Sequence, residues 1–226
     1  MNKHLFIQAR LNSERLPRKV LKKLNGKYLL EYLIERIKKI PNLNFTIATS
    51  SKATDDPIFE YCSRNKISCF RGPLEDVSKR MLDAATYFKA DYFIRISGDS
   101  PLIDVDIINQ AINIFENGNF DLVTNIYPRS FPVGQSVEAI RTKSYKRAYK
   151  KMNTLEHFEH VTKYYYENSS DFKIKNFKNN LDYSSYRLVV DSNEDFKRMS
   201  NIINRMKRSH HTYTVEDLIK IYPKSN

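Results

Sequence analysis

A crowd of basic side chains marks a short polar segment that directly follows an apolar run near the start of the chain. The apolar run covers residues 4–9, and the polar segment of residues 10–21 reads RLNSERLPRKVL, with Arg10, Ser13, Arg15, Pro17, Arg18 and Lys19. A loop of this kind leaves a parallel sheet at its carboxyl edge, where such sheets bind ligands. Closely spaced cations at that edge favour a triphosphate, and a solvated basic turn is the alternative interpretation.

A carboxylate lies at the end of another predicted strand. Residues 95–104 read RISGDSPLID, so that a strand ends in Gly98 and Asp99 and then turns sharply at a proline. At the carboxyl edge of the sheet, Asp99 would lie close to the basic loop and could hold a Mg²⁺ ion shared with phosphate oxygens. The alternative for Asp99 is to cap the next helix, a role that suits Asp104 better.

A second aspartate occupies a similar place late in the chain. A predicted strand at residues 186–190 runs directly into Asp191. Ser192 or Asn193 can cap the helix that follows. Asp191 is therefore also expected at the carboxyl edge of the sheet.

The first half of the chain alternates between strand and helix patterns. β-rich runs cover residues 5–9, 45–48, 68–70 and 92–96, and helical periodicity covers residues 29–40, 58–62, 77–88 and 106–116. Strands that alternate with helices imply right-handed crossovers. The pattern therefore predicts an α/β protein with a three-layer, Rossmann-like architecture and a mainly parallel sheet.

The alternation becomes irregular after a predicted strand at residues 122–125. Pro128, Pro132 and Gly134 punctuate a stretch that ends in residues 137–140 and indicates a hairpin or an insertion. Helices are predicted at residues 143–152, 155–168, 194–206 and 215–222, and strands at residues 172–177 and 186–190. We predict a single domain over residues 1–226, with residues 127–168 as an insertion.

The net charge of +12 raises the hypothesis of a basic nucleic-acid-binding module. The sharpest local excess is in residues 1–24, which contain seven Lys and Arg residues against one acidic residue. Because the charge concentrates at the predicted phosphate loop, nucleic acid is not the expected partner.

Other compositional signals favour an ordinary globular protein. Hydrophobic residues make up 41% of the chain, and no apolar run approaches the about 18 residues of a membrane span. The residues after Met1 lack the apolar core of a secretory signal. Cys62 and Cys69 form no CxxC pair, so idle thiols are expected. We therefore expect a cytoplasmic protein.

Three segments together resemble one enzyme family. Residues 9–21 resemble the motif A-R-x-x-S-x-R-L-P-G-K-x-L of the CMP-sugar synthetase-like cytidylyltransferases, in particular the branch of the spore coat polysaccharide biosynthesis protein F group. Residues 95–104 resemble the metal-binding turn of that family, and residues 187–195 resemble its R-L-T-V-D-T-x-E-D segment. The resemblance extends in collinear order over residues 3–206 and implies a nucleotide-diphospho-sugar transferase fold.

The resemblance also implies roles for individual residues. The catalytic set is Arg10, Arg15, Lys19 and Asp99, and Asp99 and Asp191 would bind Mg²⁺. The nucleotide would contact Ala9, Arg10, Leu11, Ser13, Arg15, Lys19, Ala48, Thr49, Asp55, Arg71, Arg95, Gly98 and Asp99. The acceptor would contact Gly134, Gln135, Glu138, Glu159 and His160, which belong to segments similar to the Y-P-x-G-x-D-V-E loop and the R-E-H-V-T helix start of the family.

Three positions depart from the family pattern. Arg18 replaces the glycine of the first loop, Ser136 replaces an aspartate, and Phe158 replaces the arginine before the Glu-His pair. The first change would either add a phosphate contact or alter how closely the backbone approaches the nucleotide. The other two alter the charge of the acceptor pocket, so they bear on the identity of the substrate more than on the reaction.

The implied reaction is transfer of CMP from CTP to a nonulosonic or related 3-deoxy sugar acid, with release of pyrophosphate, for the synthesis of a surface polysaccharide or glycoconjugate. The alternatives are the same chemistry with another NTP or a sugar phosphate, a GT-A glycosyltransferase, and a basic nucleic-acid-binding module. The resemblance also implies a homodimer in which residues 127–168 reach a neighbouring subunit.

Overall fold

The computed structural model describes residues 1–223 of the chain. The strands are β1 Lys3–Gln8, β2 Lys23–Leu24, β3 Lys27–Tyr28, β4 Phe45–Ser50, β5 Cys69–Gly72, β6 Tyr92–Ser97, β7 Leu122–Thr124, β8 Glu138–Arg141 and β9 Ile174–Asn176. The α-helices are α1 Leu29–Ile37, α2 Asp56–Arg64, α3 Val77–Tyr87, α4 Val105–Glu116, α5 Thr142–Tyr149, α6 Leu155–Glu159, α7 Lys163–Glu167, α8 Asn193–Asn204 and α9 Val215–Lys220. Short 3-10 helices cover Lys19–Leu21, Ala53–Asp55, Ser169–Asp171 and His210–Thr212.

A seven-stranded sheet forms the centre of the fold. Its strand order is β5-β4-β1-β6-β8-β7-β9, and β2 pairs with β3 in a separate small hairpin. Strand β8 runs antiparallel to both of its neighbours, whereas β1, β4, β5 and β6 pair in parallel, as do β7 and β9. The predicted α/β architecture with a mainly parallel sheet is therefore confirmed.

Both faces of the sheet are covered, which explains why its central strands are apolar at successive positions. In β1, Leu5 and Ile7 pack into a cluster that contains residues of α1, α2 and α4. Phe6, on the opposite face, joins a cluster with residues of α3, α5 and α7. Across residues 1–223, none of the helices has both the length and the apolar character needed to cross a membrane.

Helix starts follow the capping residues expected from the sequence. The Asp104 carboxylate accepts a hydrogen bond from the amide of Asp106 at the start of α4, at 3.0 Å. At α8, Ser192 rather than Asn193 is the cap, because the Ser192 hydroxyl accepts from the amide of Asp195. These bonds satisfy amides that the first helical turn leaves unpaired.

The single helix predicted at residues 155–168 is wrong. The chain instead forms α6 and α7, which are separated by an extended residue at His160 (φ −105°, ψ 94°). The Thr162 hydroxyl donates a hydrogen bond of 2.5 Å to Glu138, which is fully buried. This tertiary contact is incompatible with one continuous helix. It outweighs the helical periodicity of residues 155–168.

The strand predicted at residues 186–190 does not join the sheet. It makes one isolated bridge, between Val133 and Arg187. The amide of Leu188 donates to the Val133 carbonyl, and the amide of Val190 donates to the Asp99 carbonyl. The segment is apolar because Leu188 and Val190 are buried in a cluster with residues of α1, α8 and α9, and not because it belongs to the ladder.

The irregular middle of the chain contributes to the main sheet. The sequence predicts a hairpin or an insertion that ends in residues 137–140. In the structure these residues lie in β8, which pairs antiparallel with β7 across a long connection and also pairs antiparallel with β6. The predicted strand at residues 172–177 shortens to β9. The single domain over residues 1–226 and the dimerisation role of residues 127–168 stay predictions, and residues 224–226 lie outside the described part.

A buried arginine fastens the end of the described chain to the core. Arg36 on α1 is fully buried, and its guanidinium donates to the backbone carbonyls of Ile103, His210 and Tyr213. Burial lowers the pKa of Arg36 to about 10, so the group remains a cation at neutral pH. One side chain thereby joins α1, the start of α4 and the segment before α9.

Substitution of Arg36 should destabilise the whole fold. Arg36→Met keeps an apolar stem but removes three guanidinium hydrogen bonds to backbone carbonyls, and we expect the free energy of unfolding to fall by about 3 kcal/mol. Urea denaturation followed by circular dichroism measures the change. Arg64→Met, on the exposed face of α2, is the matched control and should change stability by less than about 0.5 kcal/mol. Equal losses in both variants would contradict the assigned role.

Candidate active site

A polar cleft opens at the carboxyl edge of β1 and β6. It has a volume of about 580 Å³ and lies where the basic loop and the turn after β6 meet. Predicted site residues in its lining are Ala9, Arg10, Ser13, Arg15, Lys19, Asp99, Glu159 and Asp191, and further lining residues are Gln8, Asn12, Glu14, Val20, Glu75 and Ser97. The loop and the turn lie side by side because Gln8 at the end of β1 pairs with Ser97 at the end of β6.

The basic loop is held from behind by a buried carboxylate. Asp55 is fully buried, and its Oδ1 accepts from the amide of Leu11 at 2.7 Å. Its other oxygen accepts from the amide and the hydroxyl of Ser50. Asp55, predicted to contact the nucleotide, is therefore placed behind the loop, where it fixes the shape of the backbone.

Lys19 joins the two aspartates that the sequence placed after strands. Its Nζ lies 2.5 Å from Asp99 Oδ2 and 2.5 Å from Asp191 Oδ1. The Lys19 side chain is only 13% exposed. Burial by itself would lower the pKa of Lys19, but the two carboxylates outweigh burial and raise it. At neutral pH the group is therefore an ammonium between two carboxylates.

Both carboxylates have anchored backbones. Gly98 donates to the carbonyl of Gln8, and the Asp99 carbonyl accepts from the amide of Val190. The amide of Asp191 donates to Asp195, which is 4% exposed and accepts from Arg187 and Arg198. Although burial opposes it, these hydrogen bonds lower the pKa of Asp195 to about 2.

The donor set can be compared with the needs of Mg²⁺. Within residues 1–223, no three His, Cys, Asp or Glu side chains cluster as a complete metal site. Mg²⁺, however, is commonly held by one or two carboxylates together with waters and substrate phosphates. Asp99 and Asp191 already direct oxygens at one cation, the Lys19 ammonium. The two carboxylates therefore fit a nucleotide-bound Mg²⁺, with the phosphates completing its coordination.

A buried network positions the floor of the cleft. Glu138 is fully buried and accepts from Arg95 at 2.7 Å and from Tyr166 at 2.7 Å. The Arg95 guanidinium also donates to the side chain of Gln8, which lines the cleft. Arg95 and Glu138, predicted to contact nucleotide and acceptor, form a support behind Gln8.

An ion pair spans the cleft from the loop to α6. Arg10 Nη2 lies 2.9 Å from Glu159 Oε1, and both side chains are partly exposed. Arg15, 71% exposed, reaches Asp191 at 3.4 Å. Exposed pairs of this kind contribute little to stability. These arginines are therefore available for anions that enter the cleft.

Several other predicted contacts do not line the cleft. Arg71 pairs with Asp56 at 2.7 Å and donates to two backbone carbonyls. Gln135 is buried, and its side chain accepts a hydrogen bond from the amide of Asp104 and donates one to the carbonyl of Leu102. The other predicted site residues that do not line the cleft are Leu11, Ala48, Thr49, Gly98, Gly134 and His160. His160 is exposed.

Gly134 has a steric reason to be glycine. Its φ is +101°, and a Cβ at this position would lie 2.5 Å from the backbone of Leu188 and Val189. Any side chain would push away the segment that leads to Asp191. The glycine that the sequence associated with the acceptor is therefore required by the close approach of two backbones.

A buried cation behind the cleft was missed by sequence reasoning. Arg80 on α3 is fully buried, and burial, assisted by the charge of Arg10, lowers its pKa to about 10. Its Nη1 donates to the Pro73 carbonyl, while Nε and Nη2 have no partner within residues 1–223. Gly72 makes room for its stem, since a Cβ there would lie 2.9 Å from Arg80 Cγ. The helical spacing of α3 conceals this residue in an otherwise apolar face.

Comparison with known proteins identifies the family of this chain. A family profile described as cytidylyltransferase matches residues 5–222. The chain belongs to the cytidylyltransferase family. A solved cytidylyltransferase from Leptospira borgpetersenii superposes with a TM-score of 0.92 at 30% identity, covering 98% of this chain and 93% of that protein.

Relatives of this cytidylyltransferase fall into more than one group. An uncharacterised protein of Methanocaldococcus jannaschii is 35% identical over 195 residues, covering 85% of this chain and 79% of the relative. The spore coat polysaccharide biosynthesis protein SpsF of Bacillus subtilis is 29% identical over 215 residues, covering 91% and 88%. A 3-deoxy-manno-octulosonate cytidylyltransferase of Hydrogenovibrio crunogenus is 28% identical over 151 residues, covering 65% and 60%.

A more distant structure supports the fold. The CMP:2-keto-3-deoxy-manno-octonic acid synthetase complexed with CTP has a TM-score of 0.69 at 14% identity, covering 91% of this cytidylyltransferase and 99% of that chain. This likeness bears on the architecture alone. It agrees with the α/β architecture described above.

The structure gives the contacts or the backbone conformation of the three residues that depart from the family pattern. Arg129 is half-buried and donates to the Ser136 hydroxyl at 3.1 Å, where the family motif has a carboxylate. Phe158 packs near Tyr149, with ring centroids 6.1 Å apart. Arg18 has a left-handed backbone (φ 58°, ψ 23°) in this cytidylyltransferase. The family glycine is explained by that backbone conformation, and here an arginine adopts it.

Restoring glycine at this turn should stabilise the protein. A non-glycine residue in the left-handed region carries a penalty of about 1 kcal/mol, partly offset by the greater flexibility of glycine in the unfolded chain. We expect Arg18→Gly to raise the free energy of unfolding by up to ~1 kcal/mol. Urea titration measures it. Arg18→Ala keeps the Cβ and removes the charge, so a comparable gain in that control would assign the effect to charge instead.

Proposed function

We propose that this cytidylyltransferase transfers CMP from CTP to a sugar acid of the nonulosonic or 3-deoxy class and releases pyrophosphate, in the synthesis of a surface polysaccharide or glycoconjugate. The observation that carries the proposal is the convergence of Lys19, from the basic loop, with Asp99 and Asp191 in the cleft. This arrangement offers cations to a triphosphate and carboxylates to its metal ion. The similarity to a 3-deoxy-manno-octulosonate cytidylyltransferase supports the nucleotide and the acceptor class, and the similarity to the spore coat polysaccharide biosynthesis protein SpsF supports a role in polysaccharide synthesis.

The basic side chains of the cleft would assist departure of the leaving group, pyrophosphate. Arg10, Arg15 and Lys19 line one side of the cleft and would neutralise the β and γ phosphates. Neutralisation makes pyrophosphate a better leaving group, and positioning together with charge stabilisation carries most of a reaction of this type. A nucleophilic side chain and a covalent intermediate are not required.

The reaction is a single in-line displacement. The anomeric hydroxyl oxygen of the sugar acid forms a bond to the α-phosphorus, and the bond between that phosphorus and the bridging oxygen breaks. The electron pair leaves with pyrophosphate, and the hydroxyl proton passes to solvent. When bound to Asp99 and Asp191, Mg²⁺ would supply positive charge to the phosphate oxygens.

A substrate screen tests the proposal directly. The purified chain is incubated with Mg²⁺, each of the four common NTPs, and a panel of sugar acids and sugar phosphates, while pyrophosphate release is measured. We expect release with CTP and a sugar acid, and none when either is omitted. Release only with another NTP or only with a sugar phosphate would replace the proposal by the corresponding nucleotidyl transfer. Salt-sensitive DNA binding without turnover would favour a nucleic-acid-binding module.

Single substitutions test the assigned roles. Lys19→Ala and Asp99→Asn should each leave the fold intact and lower turnover by about a hundredfold or more, because one electrostatic contact contributes about 3 kcal/mol at such transition states. Steady-state pyrophosphate release gives turnover, and circular dichroism checks the fold. Asp171→Asn, an exposed carboxylate outside the cleft, is the matched control. Near-full release by both cleft variants would remove these residues from the mechanism.

A further inference from the structure

We infer that Lys19 competes with the divalent cation for Asp99 and Asp191, and that a triphosphate relieves this competition by drawing the ammonium away. The inference rests on the proposed use of a metal ion, and it adds a coupling between metal binding and nucleotide binding. In the family resemblance Lys19 is a phosphate-binding residue. Its contacts in the structure are with the carboxylates of the proposed metal site.

The first step of the argument is that the two cations exclude each other. Lys19 Nζ is 2.5 Å from Asp99 Oδ2 and 2.5 Å from Asp191 Oδ1. A Mg²⁺ ion binds carboxylate oxygens at about 2.0–2.1 Å, so it would need the same space between the same oxygens. Even where geometry allowed both, an ammonium next to a divalent cation is strongly unfavourable. Metal binding at these oxygens therefore requires the ammonium to leave.

The second step concerns which partner is able to move. Asp99 and Asp191 have backbones that are hydrogen-bonded to Val190 and Asp195 respectively. The Lys19 ammonium, by contrast, ends a flexible four-carbon stem. The carboxylates are thus a fixed cradle, and the ammonium is the part that moves.

The third step is the balance of charge around the cradle. Arg15 and Arg187 also approach Asp191 Oδ2, at 3.4 and 3.9 Å. With Lys19, three cations lie near these two carboxylates, although Arg187 is shared with Asp195, so a divalent ion is opposed by positive charge that is already in place. Glu14 and Glu75 line the cleft but make no ion pair within residues 1–223. A triphosphate brings the anionic oxygens that both Lys19 and the metal ion can share.

The experiment measures metal binding without nucleotide or acceptor. Mn²⁺, a spectroscopic substitute for Mg²⁺, is titrated into the purified chain, and the free ion is followed by electron paramagnetic resonance. Lys19→Met keeps most of the stem and removes the charge. We expect the variant to bind one Mn²⁺ about tenfold more tightly than the parent, a typical coupling between linked sites.

Controls separate charge in general from charge at this position. Lys38→Met removes an exposed lysine at the end of α1 and should leave the affinity for Mn²⁺ unchanged. The double variant Lys19→Met with Asp99→Asn should return to weak binding, because it lacks one arm of the cradle. A gain in affinity that Lys38→Met reproduces, or that survives Asp99→Asn, would overturn the inference.

Thermal unfolding guards against loss of the fold. Lys19→Met leaves two largely buried carboxylates without their ammonium, so its melting temperature should fall and should recover on addition of Mg²⁺, whereas the parent should respond little. Lys19→Gln provides a second variant with the same expectation. The inference would be overturned if the parent and the variants bound Mn²⁺ with equal affinity, whether tight or weak. It would also be overturned if Mg²⁺ did not stabilise the variants. Because no substrate is present, these results are independent of the pyrophosphate-release screen.

Discussion

A single ammonium group connects three segments of the chain that are far apart in sequence. Lys19 follows β1, Asp99 follows β6, and Asp191 precedes α8, and the ammonium contacts both carboxylates at 2.5 Å. Withdrawing two carboxylates from water is unfavourable unless a cation accompanies them. The approach of the two acidic segments therefore depends on a cation between them, since the two carboxylates would otherwise repel each other.

Rigid and mobile charges have different places in this site. The fully buried Glu138 is held by Arg95 and Tyr166, and the fully buried Asp55 holds the amide of Leu11. In front of them, Arg15 is largely exposed and ends in a flexible side chain. Fixed groups behind the cleft position its floor, and mobile cations at its mouth can follow an anionic ligand. Such support of contacting residues by a buried layer is a general requirement of binding sites.

The sequence predicted the helices and most strands because their signals are local. The caps at Asp104 and Ser192 and the periodicity of α1, α3 and α4 depend on neighbouring residues alone. It failed at residues 155–168, where Thr162 leaves the helix to reach Glu138. It also failed at residues 186–190, where an apolar run packs behind Gly134 instead of pairing in the sheet. Each failure comes from a contact between residues distant in sequence, which no local pattern records.

The sequence by itself determined the family, the alternation of strands and helices, and which charged residues stand at strand ends. Only the tertiary structure decided the pairing of those charges. Lys19 contacts Asp99 and Asp191, Arg95 contacts Glu138, and Asp55 turns away from the cleft to support the loop. The physical reason is that the bond between Val190 and Asp99 brings Asp191 beside Lys19, and the other pairs follow from the register of β1 against β4 and β6 and of β6 against β8, where Arg95 lies opposite Glu138. That register is set by the packing of both sheet faces, and it exists only once the whole core has formed.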